Sequence, residues 1–60
     1  MKWNELRRIV EAKGWRFVRH GGSHDIYAHP DKKGPLIIER HGSQEIKRGL
    51  FNKLKKQIDF

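Results

Sequence analysis

Gly22-Ser23-His24 is the stretch of this chain best suited to chemistry. A histidine follows a glycine turn and a small hydroxyl, at what reads as the start of a strand. Histidine is the one side chain whose ordinary pKa lets it accept and release protons near neutrality. Fourteen Lys and Arg against seven Asp and Glu give a formal charge of +7, which attracts polyanions. Designed surfaces of this size carry roughly 2–8 net charges for solubility alone, so +7 stands near the top of the ordinary range and favours an acidic or polyanionic partner. Cleavage of RNA by its own 2′-hydroxyl needs no protein nucleophile. It needs a proton acceptor or donor within hydrogen-bond reach, and cations to hold the charge that builds around phosphorus. His24 supplies the first, and the glycines ahead of it let a phosphate approach the backbone. The bland alternative is a strand histidine making an ordinary surface hydrogen bond.

Two other readings fail on geometry. His20 and His24 have the spacing of two zinc ligands on a helix, but Gly21-Gly22 lies between them and no further strong ligand is near. No metal and no other cofactor is expected. Ser23-His24-Asp25 holds the residue types of a nucleophilic triad, yet neighbours in a strand point to opposite faces and cannot converge. The chain has no cysteine, which excludes disulfides, thiolate metal sites and a Cys nucleophile. Asp25 brings a negative charge next to His24 in sequence, one that would repel a phosphate.

The cations fall into groups. Arg16 and Arg19 belong to a first strand and Arg40 follows a third. Lys47, Arg48, Lys53, Lys55 and Lys56 crowd a second helix. Arg19, Arg40, Lys47, Arg48, Lys53 and Lys56 are the expected backbone contacts; Lys53 and Lys56, one helical turn apart, share a side and are placed to track a phosphate chain. For any single lysine, a solvated surface is the simpler account.

The elements that must position these groups read as helix, three strands, helix. Residues 3–13 put Trp3, Leu6, Ile9 and Val10 at helical spacing, and Gly14 provides the stop. Trp15 to His20 is rich in aromatic and β-branched residues and predicts a strand. Gly21-Gly22 marks a turn, His24 to His29 a second strand, and residues 30–35 a Pro/Gly loop before the third strand, Leu36-Ile37-Ile38-Glu39. Ile46, Leu50, Leu54 and Ile58 form a stripe widened by Phe51, with regular helix expected from about Gly49 to Gln57 because glycine weakens a helix. Short connections favour an antiparallel meander. The expected fold is α+β: a two-layer αβββα domain with both helices on one face of a three-stranded sheet. Trp3, Trp15, Phe17, Phe51 and Leu54 are the expected core, with Tyr27 and Phe60 the exposed aromatics. By parity His24, Ile26 and Ala28 share one sheet face and Asp25, Tyr27 and His29 the other; which face is covered stays open.

Sixty residues suit one domain, 1–60, and a chain this short buries only about 60% of its unfolded surface. Chemistry must then sit on an open face. No apolar run approaches the ~20 residues that span a bilayer, and the N-terminus lacks a signal-peptide core. A small soluble domain without membrane attachment, in the cytoplasm, is expected. A short edge strand leaves pairing with a partner or a second copy, as a homo-oligomer, open.

With those residues in place, the chain closely resembles the HicA family of toxin–antitoxin ribonucleases. The matching pattern starts at Gly14-Trp15, runs through Arg19 to Gly22-Ser23-His24 and Tyr27, and resumes at Arg40-His41, Glu45-Ile46, Gly49-x-Leu and the lysine-rich last helix. The resemblance implies a double-stranded-RNA-binding-like fold, metal- and ribosome-independent cleavage of mRNA, and neutralisation by a HicB antitoxin. It places the catalytic histidine on His24, with Gly22 and Ser23 shaping the phosphate approach and His41 among the substrate contacts. The alternatives are a non-catalytic RNA-binding module of the same fold and a protein-interaction domain whose charge serves an acidic partner.

Overall fold

The computed structural model describes all 60 residues, Met1–Phe60. They form α1 (Trp3–Ala12), β1 (Arg16–Gly21), β2 (His24–Ala28), β3 (Leu36–Glu39) and α2 (Arg48–Ile58). α1 begins where the Lys2 N–H donates to the Glu5 carboxylate at 2.9 Å, satisfying a group the helix leaves unpaired. It ends at Lys13, after which Gly14 turns the chain with φ +92°. The three strands lie in the order β1-β2-β3, both pairs antiparallel, and complete the αβββα order of a double-stranded-RNA-binding-like α+β domain.

Parity along β2 and β3 decides which sheet face is covered. Asp25 and Tyr27 are buried with Leu36 and Ile38, while Ile37 is exposed and His24, Ile26 and Glu39 only partly covered. The first set turns into the core shared with the helices, and the cross-strand pairs His24–Glu39 and Ile26–Ile37 lie on the opposite face of the sheet. Leu6 and Val10 of α1 meet Leu36 and Ile38 at the centre of the core, each with no exposed surface.

Several expectations need correction. Tyr27 is buried, 3% exposed, because its parity matches that of the core residues. Phe17, expected inside, is 49% exposed: β1 is an edge strand with a bulge between Phe17 and Arg19, and the Phe17 ring packs edge-on against Tyr27 and His20 instead. Phe51 and Phe60 are both partly buried, meeting at 6.2 Å between ring centroids. Strand β1 starts and ends one residue later than expected, since Gly21 still pairs with His24. Strand β2 stops at Ala28 because the His29 side chain turns to the neighbouring loops. Its Nδ1 accepts from the Asp31 N–H at 3.0 Å, so Nε2–H donates to the Lys13 carbonyl at 3.1 Å. Helix α2 reaches one residue beyond the expected span at each end.

Asp25 is the one buried charged residue, 6% exposed. Arg7 of α1 donates to its Oδ2 at 2.8 Å, to the Tyr27 hydroxyl at 2.9 Å and to the Glu39 carbonyl at 3.2 Å. One guanidinium therefore joins α1 to both β2 and β3. His20 Nδ1 lies 2.6 Å and Arg40 Nε 3.4 Å from Oδ1 of the same carboxylate. Asp25 thus points away from His24, with its charge matched by cations on the covered face, contrary to the expectation that it would oppose a phosphate beside His24. Burial on its own raises the Asp25 pKa, but hydrogen bonds from His20 and then Arg7 outweigh it and hold the carboxyl below its ordinary range. A folded-state pKa below the unfolded value contributes stability above the unfolded value, about 4, and loses it as pH falls through the folded one. Acid titration followed by circular dichroism should show stability declining below about pH 4, with a shallower dependence in Asp25→Asn. An unchanged acid limb in that variant would remove Asp25 from the cause.

Candidate active site

Gly21 and His24 are the last pair of the β1–β2 hairpin and close the two-residue turn Gly22-Ser23. Gly22 has φ +62° and Ser23 has no positive φ, the pattern of a type II′ turn, which takes glycine at its first central position. The turn makes His24 the first residue of β2, at the hairpin end and on the uncovered face. A Cβ at Gly21 would stand 3.0 Å from His24 Nε2 and 3.3 Å from Ile26 Cδ1. The imidazole therefore lies over β1 in the space a side chain would take, so this glycine accommodates the ring. Gly22 and Ser23 are exposed, and the Ser23 carbonyl accepts from the Arg40 N–H at 3.2 Å, tying the turn to the end of β3.

His24 lines a groove of about 440 Å³ between the uncovered face and α2. Ile37 and Glu39 of β3 form one wall with it; Leu50, Lys53, Leu54 and Gln57 of α2 form the other, and Trp3 and Pro35 complete it. Arg19 pairs with Ile26 and so shares the His24 face. Lys53 is in the groove, but Lys56 lines a separate depression with Asn52, Lys55, Asp59 and Phe60. The two lysines lie one helical turn apart on α2 and line neighbouring depressions. Arg40 is partly engaged by Asp25. His41, Lys47 and Arg48 are exposed beyond the groove, His41 in the loop after β3 and the other two at the start of α2.

Glu39, Ile37 and Leu50 escaped the sequence reading. Glu39 and Ile37 were legible as neighbours of His24 once the strand register is known. The four-residue repeat predicts Leu50 in the core stripe, but it is 41% exposed. A four-residue repeat drifts around a helix of 3.6 residues per turn, so Leu54 and Ile58 face the core while Leu50 turns toward the groove. No three His, Asp or Glu side chains come together as a metal site would require.

The arrangement is that of a small basic α+β domain offering a histidine and a lysine in an open groove. Residues 3–60 match the family described as HicA toxin of bacterial toxin-antitoxin, and the chain belongs to that toxin family. Such a toxin acts opposite an antitoxin partner. No curated protein matches the chain. No helix is long and apolar enough to cross a membrane.

Proposed function

We propose that this toxin is a metal- and ribosome-independent endoribonuclease acting on mRNA in the cytoplasm, with His24 as its general acid–base group. One observation carries the reading: the different employment of the four histidines. His29 uses both ring nitrogens within the fold and the His20 ring is bound to Asp25, whereas the His24 imidazole makes no hydrogen bond to the protein and lines the groove with Lys53. His41 is exposed outside the groove.

The 2′-oxygen attacks the adjacent phosphorus, the bond from phosphorus to O5′ breaks, and the products are a 2′,3′-cyclic phosphate and a 5′-hydroxyl. The 2′-hydroxyl gives up a proton and the departing O5′ gains one. His24 serves this exchange as neutral acceptor or protonated donor, with water completing the balance. Lys53 in the groove and Arg19 on the His24 face of β1 stabilise phosphate charge. A HicB-type antitoxin presenting acidic groups to this face would cover His24 and occupy the cations together.

Gly21→Ala tests the positioning of the ring. The added methyl has ordinary backbone angles available but meets His24 Nε2 at 3.0 Å and pushes the imidazole aside by a few tenths of an ångström. Misplacement by about 1 Å costs about 10²-fold in rate, so turnover of a labelled mRNA should fall by about 10-fold or less, with RNA affinity retained. Wild-type turnover in a folded Gly21→Ala protein would remove the positioning role. Cleavage by the wild-type protein in EDTA is the test of the activity itself; binding without cleavage would reduce the chain to an RNA-binding module.

A further inference from the structure

We infer that the groove beside His24 seats one unpaired nucleobase, guanine before the others, so that the substrate is single-stranded or looped RNA rather than duplex. The inference rests on the ribonuclease reading and adds to it the substrate class and a recognition residue, Glu39.

The groove has two chemical regions. Ile37 and Leu50, 44% and 41% exposed, line it above the buried Leu54 and Trp3, giving an apolar surface open to water. A nucleobase has a flat apolar face and a polar edge, and it reaches such a surface only when it leaves the helical stack. Duplex RNA keeps those faces covered by neighbouring bases.

The polar residues sort the rest of the nucleotide by charge. Lys53 attracts phosphate, whereas the Glu39 carboxylate repels it, so the place next to Glu39 suits a base edge. The Glu39 side chain has no hydrogen bond or ion pair within the protein; only its backbone carbonyl is engaged, by Arg7. Gln57 donates from Nε2 to the Pro35 carbonyl at 2.8 Å, which leaves its amide oxygen as the group on offer. Both free groups are acceptors. Guanine has two adjacent N–H donors on its Watson–Crick edge, N1–H and the 2-amino group, and a carboxylate takes such a pair in parallel. Glu39 is also the direct cross-strand neighbour of His24. A guanine held there brings its own ribose toward the imidazole, and cleavage follows the seated base.

The test uses dinucleoside monophosphates with a 2′-deoxy 5′-nucleoside, which cannot be cut, titrated into labelled protein and followed by NMR. The guanine probe should shift the Ile37 and Leu50 methyls and the Trp3 indole N–H saturably, and bind about tenfold tighter than adenine, cytosine or uracil probes. Glu39→Gln should abolish that preference without unfolding the protein, because the side chain supports no contact in the fold. Shifts confined to the outer lysines of α2, or equal affinity for all four probes, would overturn the inference. In a second arm, wild type is given an RNA hairpin and should cut the loop and spare the stem. Equal cutting of stem and loop would sink the inference and leave the ribonuclease reading standing. Seating of the guanine probe without cleavage of any RNA would do the reverse.

Discussion

His24→Ala should abolish mRNA cleavage, lowering turnover by about 10²–10⁴-fold, while fold and RNA affinity stay near wild type. The separation follows from where the side chain sits. His24 lies on the uncovered face, outside the core cluster, and its imidazole makes no hydrogen bond to the protein. Truncation at such a position changes stability by about 0.5 kcal/mol or less. On the proposed reading, affinity for RNA rests on charges the variant keeps, above all Lys53 and Arg19, and should retain its salt dependence. What disappears is the group that carries the proton. Cleavage at the wild-type rate by folded His24→Ala protein would move the chemistry elsewhere. His20 would then be the next residue to substitute, since it stands on the opposite face of the same hairpin end with a carboxylate on its ring nitrogen.

Arg7→Met should be the most damaging single substitution for stability outside the hydrophobic core, costing about 3–5 kcal/mol. The charge that remains explains the size. Asp25 stays buried with only the largely exposed His20 and the longer contact from Arg40. The Tyr27 hydroxyl and the Glu39 carbonyl lose their donor as well. A domain with roughly 5–15 kcal/mol of total stability has little margin for that loss. Urea unfolding of wild type, Arg7→Met, Asp25→Leu and the double variant separates the causes. Removing both charges should recover part of the loss, because an apolar pair of similar volume tolerates burial better than one unpaired carboxylate. A loss below about 1 kcal/mol in Arg7→Met would show that Asp25 is adequately held without α1.

The order of elements was legible because each announces itself locally: the helical spacing of Trp3, Leu6 and Val10, the Gly14 stop, the Gly22-Ser23 turn and the apolar third strand. The position of His24 was legible for the same reason, as the strand residue directly after a turn. The covered face of the sheet was not, because β2 offers an isoleucine on one side and a tyrosine on the other. Placing Asp25 inside depends on Arg7, eighteen residues away, and no local pattern reports a charge matched at that distance. Tyr27 was misjudged with it, since the same guanidinium satisfies its hydroxyl. The groove was hidden for a related reason. It exists only where the register of β3 brings Glu39 opposite His24 and the turn of α2 carries Leu50 away from the core. Which depression each lysine of α2 lines was not legible either: Lys53 lies in the groove and Lys56 in a second depression beside Asp59 and Phe60.

The most direct test of the central claim is the chemistry of the cut ends. A defined RNA is incubated with wild-type protein in EDTA, and the fragments are read by mass spectrometry beside the same RNA carrying a 2′-deoxy residue at the cut. Fragments ending in a 2′,3′-cyclic phosphate and a 5′-hydroxyl, with the deoxy-substituted site left whole, are the result predicted for attack by the 2′-oxygen assisted by His24. Cutting at the deoxy site, or fragments with a 5′-phosphate, would mean that water or a protein group attacks phosphorus, and would contradict the account.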